Sequence, residues 1–108
     1  MTIKPEYREG CLRLSFQGEL DHHSAEKALR EAEGIIDRYL PKNCILDLSG
    51  LSFMDSSGIA VILRIHRRMA ETGGRLLVDR PADQARRVLD AAGLNRIVPI
   101  REIKETVQ

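Results

Sequence analysis

The chain has 108 residues, 43% hydrophobic and 31% charged, a balance that suits one compact domain with one modest core. A formal net charge of +1 gives no global field to recruit nucleic acid or an anionic membrane. The aromatics are Tyr7, Phe16, Tyr39 and Phe53, too few for a stacking platform for single strands, and no apolar run nears the roughly 20 residues of a membrane span.

The first residues, Met1-Thr2-Ile3-Lys4-Pro5-Glu6, carry charge and proline where a secretory signal needs an apolar segment, so a cytoplasmic location is expected. Residues 2–8 read as a strand and Glu9-Gly10 as a turn. In residues 11–16, Leu12, Leu14 and Phe16 alternate onto one face, giving a hairpin partner that Gly18 ends. Residues 24–40 read as a helix, with Ala25, Ala28, Leu29, Ala32, Ile35, Ile36, Tyr39 and Leu40 as its apolar stripe. Pro41 stops it.

Residues 44–48 are mostly apolar, a strand buried on both faces, followed by a turn at Ser49-Gly50. Leu51 and Phe53 are expected to pack back onto the core. A second helix begins near Ser57, with Ile59, Ile62, Leu63, His66, Met69 and Ala70 as its core stripe and Gly73-Gly74 as its end. Val61 and Ile65 lie off that stripe, and the spacing leaves two readings open: the edge of a binding surface, or a broader buried face with scattered exposed apolars. Residues 76–78 form a further strand. Pro81 suits the first turn of a third helix, which carries Ala85, Val88, Leu89 and Ala92 and ends at Gly93. Residues 97–100 give a short edge strand, with a polar tail from Arg101. Helices between strands imply parallel pairing by right-handed crossovers. The expected fold is therefore α/β, a single domain over 1–108 with a mixed sheet of four to five strands and three helices mainly on one side.

Cys11 and Cys44 lie in strands with no metal-ligand spacing, and read as reduced thiols. The arginines Arg64, Arg67, Arg68, Arg80, Arg86 and Arg87 read as solvated helix faces. Chemistry concentrates in two strand-to-helix segments. One is Leu51-Ser52-Phe53-Met54-Asp55-Ser56-Ser57-Gly58-Ile59, where a helix start offers backbone N–H groups and a positive dipole end, a setting that favours a phosphoryl group. Serine and glycine are also ordinary capping residues, so the segment alone is weakly specific. The other is Gly18-Glu19-Leu20-Asp21-His22-His23, where Asp21 or Ser24 can cap the first helix. His22 and His23 lack a third ligand of convincing placement, so a solvated loop or a polar partner surface is expected there, and no metal. Parallel strands send both loops to one sheet edge, so Asp21 and Ser56 are expected on one face.

In that order and spacing, the two segments resemble the anti-sigma factor antagonists, the STAS domain family, and within it the sporulation branch. Gly73-Gly74 and Ala92-Gly93-Leu94 fit the same pattern, and the resemblance runs from about Ile3 to Arg101. Ala60 stands where the family often has glycine. The resemblance implies a STAS-type fold and a non-enzymatic switch with no cofactor of its own. The unphosphorylated form would bind an anti-sigma factor that is a serine kinase holding ATP or ADP, freeing the sigma factor. Ser56 would be the phosphorylated residue, and a metal-dependent serine phosphatase would reverse the modification. Glu19, Asp21, His22, His23, Asp55, Ser57, Gly58, Val61 and Ile65 are the candidate partner-binding residues. No direct nucleic-acid or membrane partner is implied. A general-stress partner switch would use the same Asp-Ser-Ser-Gly loop. A serine hydrolase and a histidine phosphocarrier through His22 or His23 are readings of a different class. The first lacks the G-x-S-x-G pattern and an identifiable base.

Overall fold

The computed structural model describes residues 1–102. Strands β1 (Thr2–Arg8) and β2 (Cys11–Leu20) form an antiparallel hairpin. Glu9 and Gly10 turn it with φ of 49° and 82°, the positive pair that matches strand twist in a two-residue loop. Helix α1 (Ala25–Tyr39) then leads to β3 (Asn43–Met54), α2 (Ser56–Glu71) to β4 (Arg75–Asp79), and α3 (Asp83–Ala92) to β5 (Ile100–Arg101). The sheet order is β1-β2-β3-β4-β5, with β2 through β5 parallel. Each strand lies beside its predecessor, so right-handed crossovers place all three helices on one face. No helix among the described residues is long and apolar enough to cross a membrane.

The strand register sorts residues by face. Leu12 pairs with Cys44 and Cys44 with Leu76, while Leu14 pairs with Leu46 and Leu46 with Val78. These rows are buried beneath the helices, against Ala28, Ala32 and Ile36 of α1 and Leu89 of α3. Tyr39 and Leu40 leave the expected α1 stripe: both are exposed, Tyr39 stacking on Tyr7 at 4.8 Å and Leu40 closing the helix in a left-handed conformation.

Several boundaries differ from the sequence reading. β2 runs past Gly18 to Leu20, with a register shift after Gly18. Ser49-Gly50 is no turn, because β3 stays paired with β2 as far as Met54. Gly50 serves close approach there: a Cβ on it would lie 2.9 Å from the Phe16 carbonyl oxygen and the Gln17 side chain. Leu51 is buried, but Phe53 is 39% exposed. The stripe of α2 is also rotated. Val61 and Ile65 are 2% and 0% exposed and belong to the core with Ile62 and Met69, whereas Ile59 and Leu63 are only partly buried and Ala70 is exposed. The sheet below and α1 beside it take the Val61 side of the helix, a tertiary choice that spacing alone leaves open. Pro81 precedes α3, whose N-cap is Ala82. The final strand is Ile100–Arg101, with Ile97 exposed and a 3₁₀ turn over Leu94–Arg96. Of the expected polar tail, Arg101 is in that strand, and residues 103–108 lie outside the described residues.

The helix-free face carries a charged network instead of a second layer. Arg13 Nη2 donates to Asp47 Oδ2 at 3.1 Å and to Asp79 Oδ2 at 2.6 Å, Arg80 Nη2 donates to Asp47 Oδ2 at 2.9 Å, and Arg101 Nε donates to Asp79 Oδ1 at 3.1 Å. Ser49 adds its N–H and hydroxyl to Asp47 Oδ1. Asp47 and Asp79 are 6% and 0% exposed. Burial pushes both carboxyls up, but Ser49 and Arg80 at Asp47, and Arg101 and Arg13 at Asp79, outweigh it and hold both below the ordinary carboxylate range. Arg80 is thus tied down on the sheet, and two other arginines read as solvated are also paired: Arg68 reaches Glu33 and Asp37 of α1, and Arg86 pairs with Asp90 and Glu102. Both cysteines are free thiols, and burial pushes that of Cys44 up to about 12.

Candidate functional site

The loops after β2 and β3 emerge at the same sheet edge and are bonded to each other. Asp55 N donates to Leu20 O at 3.3 Å, and His22 N donates to Asp55 Oδ2 at 3.2 Å. The expected shared face of Asp21 and Ser56 therefore has a physical link, with Asp55 as the hinge between the loops.

Within the first loop, Asp21 Oδ1 accepts from His23 N at 2.9 Å and from Ser24 N at 3.1 Å. Ser24 Oγ answers by accepting from Asp21 N and donating to Glu19 O. These bonds, led by that from Ser24 N, hold the Asp21 carboxyl below its ordinary value. Glu19, His22 and His23 are exposed, and the two imidazoles meet edge to face at 5.7 Å.

In the second loop, the cap of α2 is Asp55. Its Oδ1 accepts from Ser57 N at 2.8 Å, and its carbonyl accepts from Gly58 N at 3.0 Å. Two N–H groups that the sequence offered to an anion are therefore already used. Ser56 is the first residue of the helix, exposed, and its hydroxyl makes no hydrogen bond among the described residues. Gly58 is buried because the helix start lies directly on Met54 and Leu20: a Cβ there would come within 2.4 Å of Met54 Cγ.

Val61 and Ile65 are not at this surface, since both face the core. Three other residues are: Phe53, which the sequence reading set against the core, Arg87, which it read as part of a solvated helix face, and Gln84, which it did not single out. Phe53 is exposed just before the loop. Gln84 of α3 clamps the end of β3, accepting from Met54 N at 2.7 Å and donating to Met54 O at 2.9 Å. Arg87, one turn further along α3, opens with Ser56 onto a groove of about 440 Å³ between α2 and α3, walled by Ile59, Val88 and Ala91. The local sequence does not mark Gln84, because its partner Met54 lies 30 residues away at the end of β3, and Arg87 shares a groove with Ser56 only through the packing of α3 beside α2.

With this geometry in hand, similarity to known proteins is informative. The sequence matches the STAS domain family over residues 2–108, and the chain belongs to that family. It is 35% identical over 100 residues to the anti-sigma F factor antagonist of Paenibacillus polymyxa, covering 93% of this chain and 86% of that one. Its fold superposes on the anti-sigma factor antagonist SpoIIAA in the unphosphorylated form, with a TM-score of 0.80, 27% identity and coverage of 96% and 90%. The Bacillus cell fate determinant SpoIIAA in its phosphorylated form matches with a TM-score of 0.72, 27% identity and coverage of 96% and 93%.

Proposed function

We propose that this chain is an anti-sigma factor antagonist that works as a phosphorylation-gated partner switch and is not itself an enzyme. Unphosphorylated, it binds an anti-sigma factor that is also a serine kinase, and so frees the sigma factor. Phosphate on Ser56 ends that binding, and a metal-dependent serine phosphatase restores it. The reading places the protein in the cytoplasm, in control of sporulation transcription. That branch follows the resemblance of the Leu20-Asp21-His22-His23 segment and the similarity to a sigma F antagonist. The partner surface is the joined loop face with Glu19, Asp21, His22, His23, Asp55, Ser57 and Gly58.

The observation that carries this reading is the Ser56 hydroxyl, exposed and unbonded at the start of a helix already capped by its neighbour Asp55. A kinase can take it without dismantling the cap. Ser56 Oγ would attack the γ-phosphorus of ATP, the bond to the β–γ bridging oxygen would break, ADP would leave, and the hydroxyl proton would pass to a base on the kinase. The product places about −1.5 to −2 charges opposite the phosphates of bound ADP. Like-charge contact at an interface costs several kcal/mol, and each 1.4 kcal/mol is tenfold in affinity. The free domain is spared, because the helix dipole favours negative charge there. Incubation with the anti-sigma kinase and Mg-ATP should put phosphate on Ser56, located by tandem mass spectrometry, and calorimetry against the kinase with ADP should show binding lost. Phosphate on Ser57, or equal affinity of the two forms, would overturn the reading.

A further inference from the structure

We infer that Arg87 is the internal partner of a phosphate on Ser56, drawing it across the α2–α3 groove toward α3. The inference rests on the phosphorylation reading above and adds the residue that receives the charge. Ser56 and Arg87 line the same groove, and Arg87 is the only charged residue on its walls among the described residues. Three nearby donors that would otherwise compete for a phosphate are committed. Ser57 N and Gly58 N are held by Asp55, and Gln84 uses both ends of its amide on the Met54 backbone.

Arg87 itself has no acceptor. It is exposed and makes no ion pair or hydrogen bond among the described residues, unlike its neighbour Arg86, which is held by Asp90 and Glu102. No carboxylate lies on the groove to claim it: Asp55 is turned to Ser57 N and His22 N, Asp90 is paired, and Asp83 is not on the walls. A guanidinium on a long stem over an apolar floor matches a phosphate ester with three acceptor oxygens, bidentately. Such a pair stabilises the modified form of the free protein and leaves a reduced negative charge on the loop face.

The test places phosphoserine at position 56 during synthesis of the full chain, so that it runs without any kinase, and titrates the phosphate by phosphorus NMR. An exposed ion pair of about 0.2–1 kcal/mol corresponds to about 0.2–0.7 in pKa. Arg87→Gln should raise the second pKa of the phosphate by that amount, with an unchanged circular dichroism spectrum. Arg67→Gln, which removes an arginine of α2 that is not on the groove, should leave it in place. No shift in Arg87→Gln, or equal shifts in the two variants, would overturn the inference. Failure of a kinase to modify Ser56 would instead count against the proposed function and leave this measurement standing.

Discussion

Two sets of aspartates divide the work of this molecule. Asp21 and Asp55 lie in loops at the sheet edge and spend their oxygens on backbone N–H groups. Asp47 and Asp79 lie under the helix-free face and spend theirs mainly on guanidiniums brought from β2, β5 and the end of β4. The first set shapes a surface, and its loss costs the fold at most a helix cap, about 1 kcal/mol at Asp55. The second holds strands together, and its charges are stable only while paired, since an unpaired buried charge is expensive.

The largest effect that would break this division is at Asp79. Asp79→Ala should cost about 2–4 kcal/mol in urea unfolding, somewhat below the full penalty for breaking a buried pair because Arg101 is half exposed and can turn to water. Partner affinity of the folded fraction should not change; a loss of binding at unchanged stability would reverse the roles assigned to the two sets. Both buried carboxyls have lowered folded pKa values. Their stabilisation is therefore complete above the ordinary value of about 4 and disappears as pH falls through the folded values. Acid unfolding curves should be shallower in Asp79→Ala than in the parent.

Next in size is Ser56→Asp, which adds one negative charge where phosphate adds about two. Affinity for the kinase with ADP should fall by about tenfold, less than for the phosphorylated protein, and calorimetry of the two side by side ranks them. Gly58→Ala probes the seat of the same helix. Overpacking Met54 should cost about 1–3 kcal/mol, offset by about 1 from alanine's better helix propensity, for a net loss of about 0–2 kcal/mol in thermal unfolding. A clear gain in stability would show that Met54 yields freely. The smallest stability effect is expected at Asp21. Asp21→Ala should leave the melting temperature near that of the parent while weakening partner binding. The reverse pattern would make Asp21 a cap and nothing more.

How much of this was legible in the sequence depended on whether the deciding contact was local. The hairpin turn at Glu9-Gly10, the amphipathic α1 and the paired loops at Asp21 and Ser56 follow from spacing and turn chemistry. The orientation of α2 does not: Ile59 with Leu63 and Val61 with Ile65 make equally good stripes, and the sheet decides for the second. Gly50 looked like a turn because glycine between strands usually is one, whereas here it lets β2 and β3 approach. Asp47 is a charge in an apolar strand whose partners Arg13 and Arg80 lie 34 and 33 residues away. Asp79 and its arginines gave no signal, since Arg13 is 66 residues away. Arg87 is recognisable only once α3 is seen beside α2.

The strand order carries a consequence for how the chain reaches this fold. In the β2–β3 and β3–β4 ladders the partners Leu12, Cys44 and Leu76 are 32 residues apart at each step, and in the last ladder Val78 and Ile100 are 22 apart. Every ladder thus joins neighbours in the chain, so the sheet can grow outward from the hairpin as each crossover closes, without waiting for a distant segment. The Arg13–Asp79 bond is the exception, since it spans β2 to β4 and forms only after both crossovers are in place. A contact that needs both crossovers is expected to form after the rate-limiting step, with a low φ-value. Asp79→Ala should therefore accelerate unfolding and leave the refolding rate nearly untouched, a division that a chevron plot reads directly.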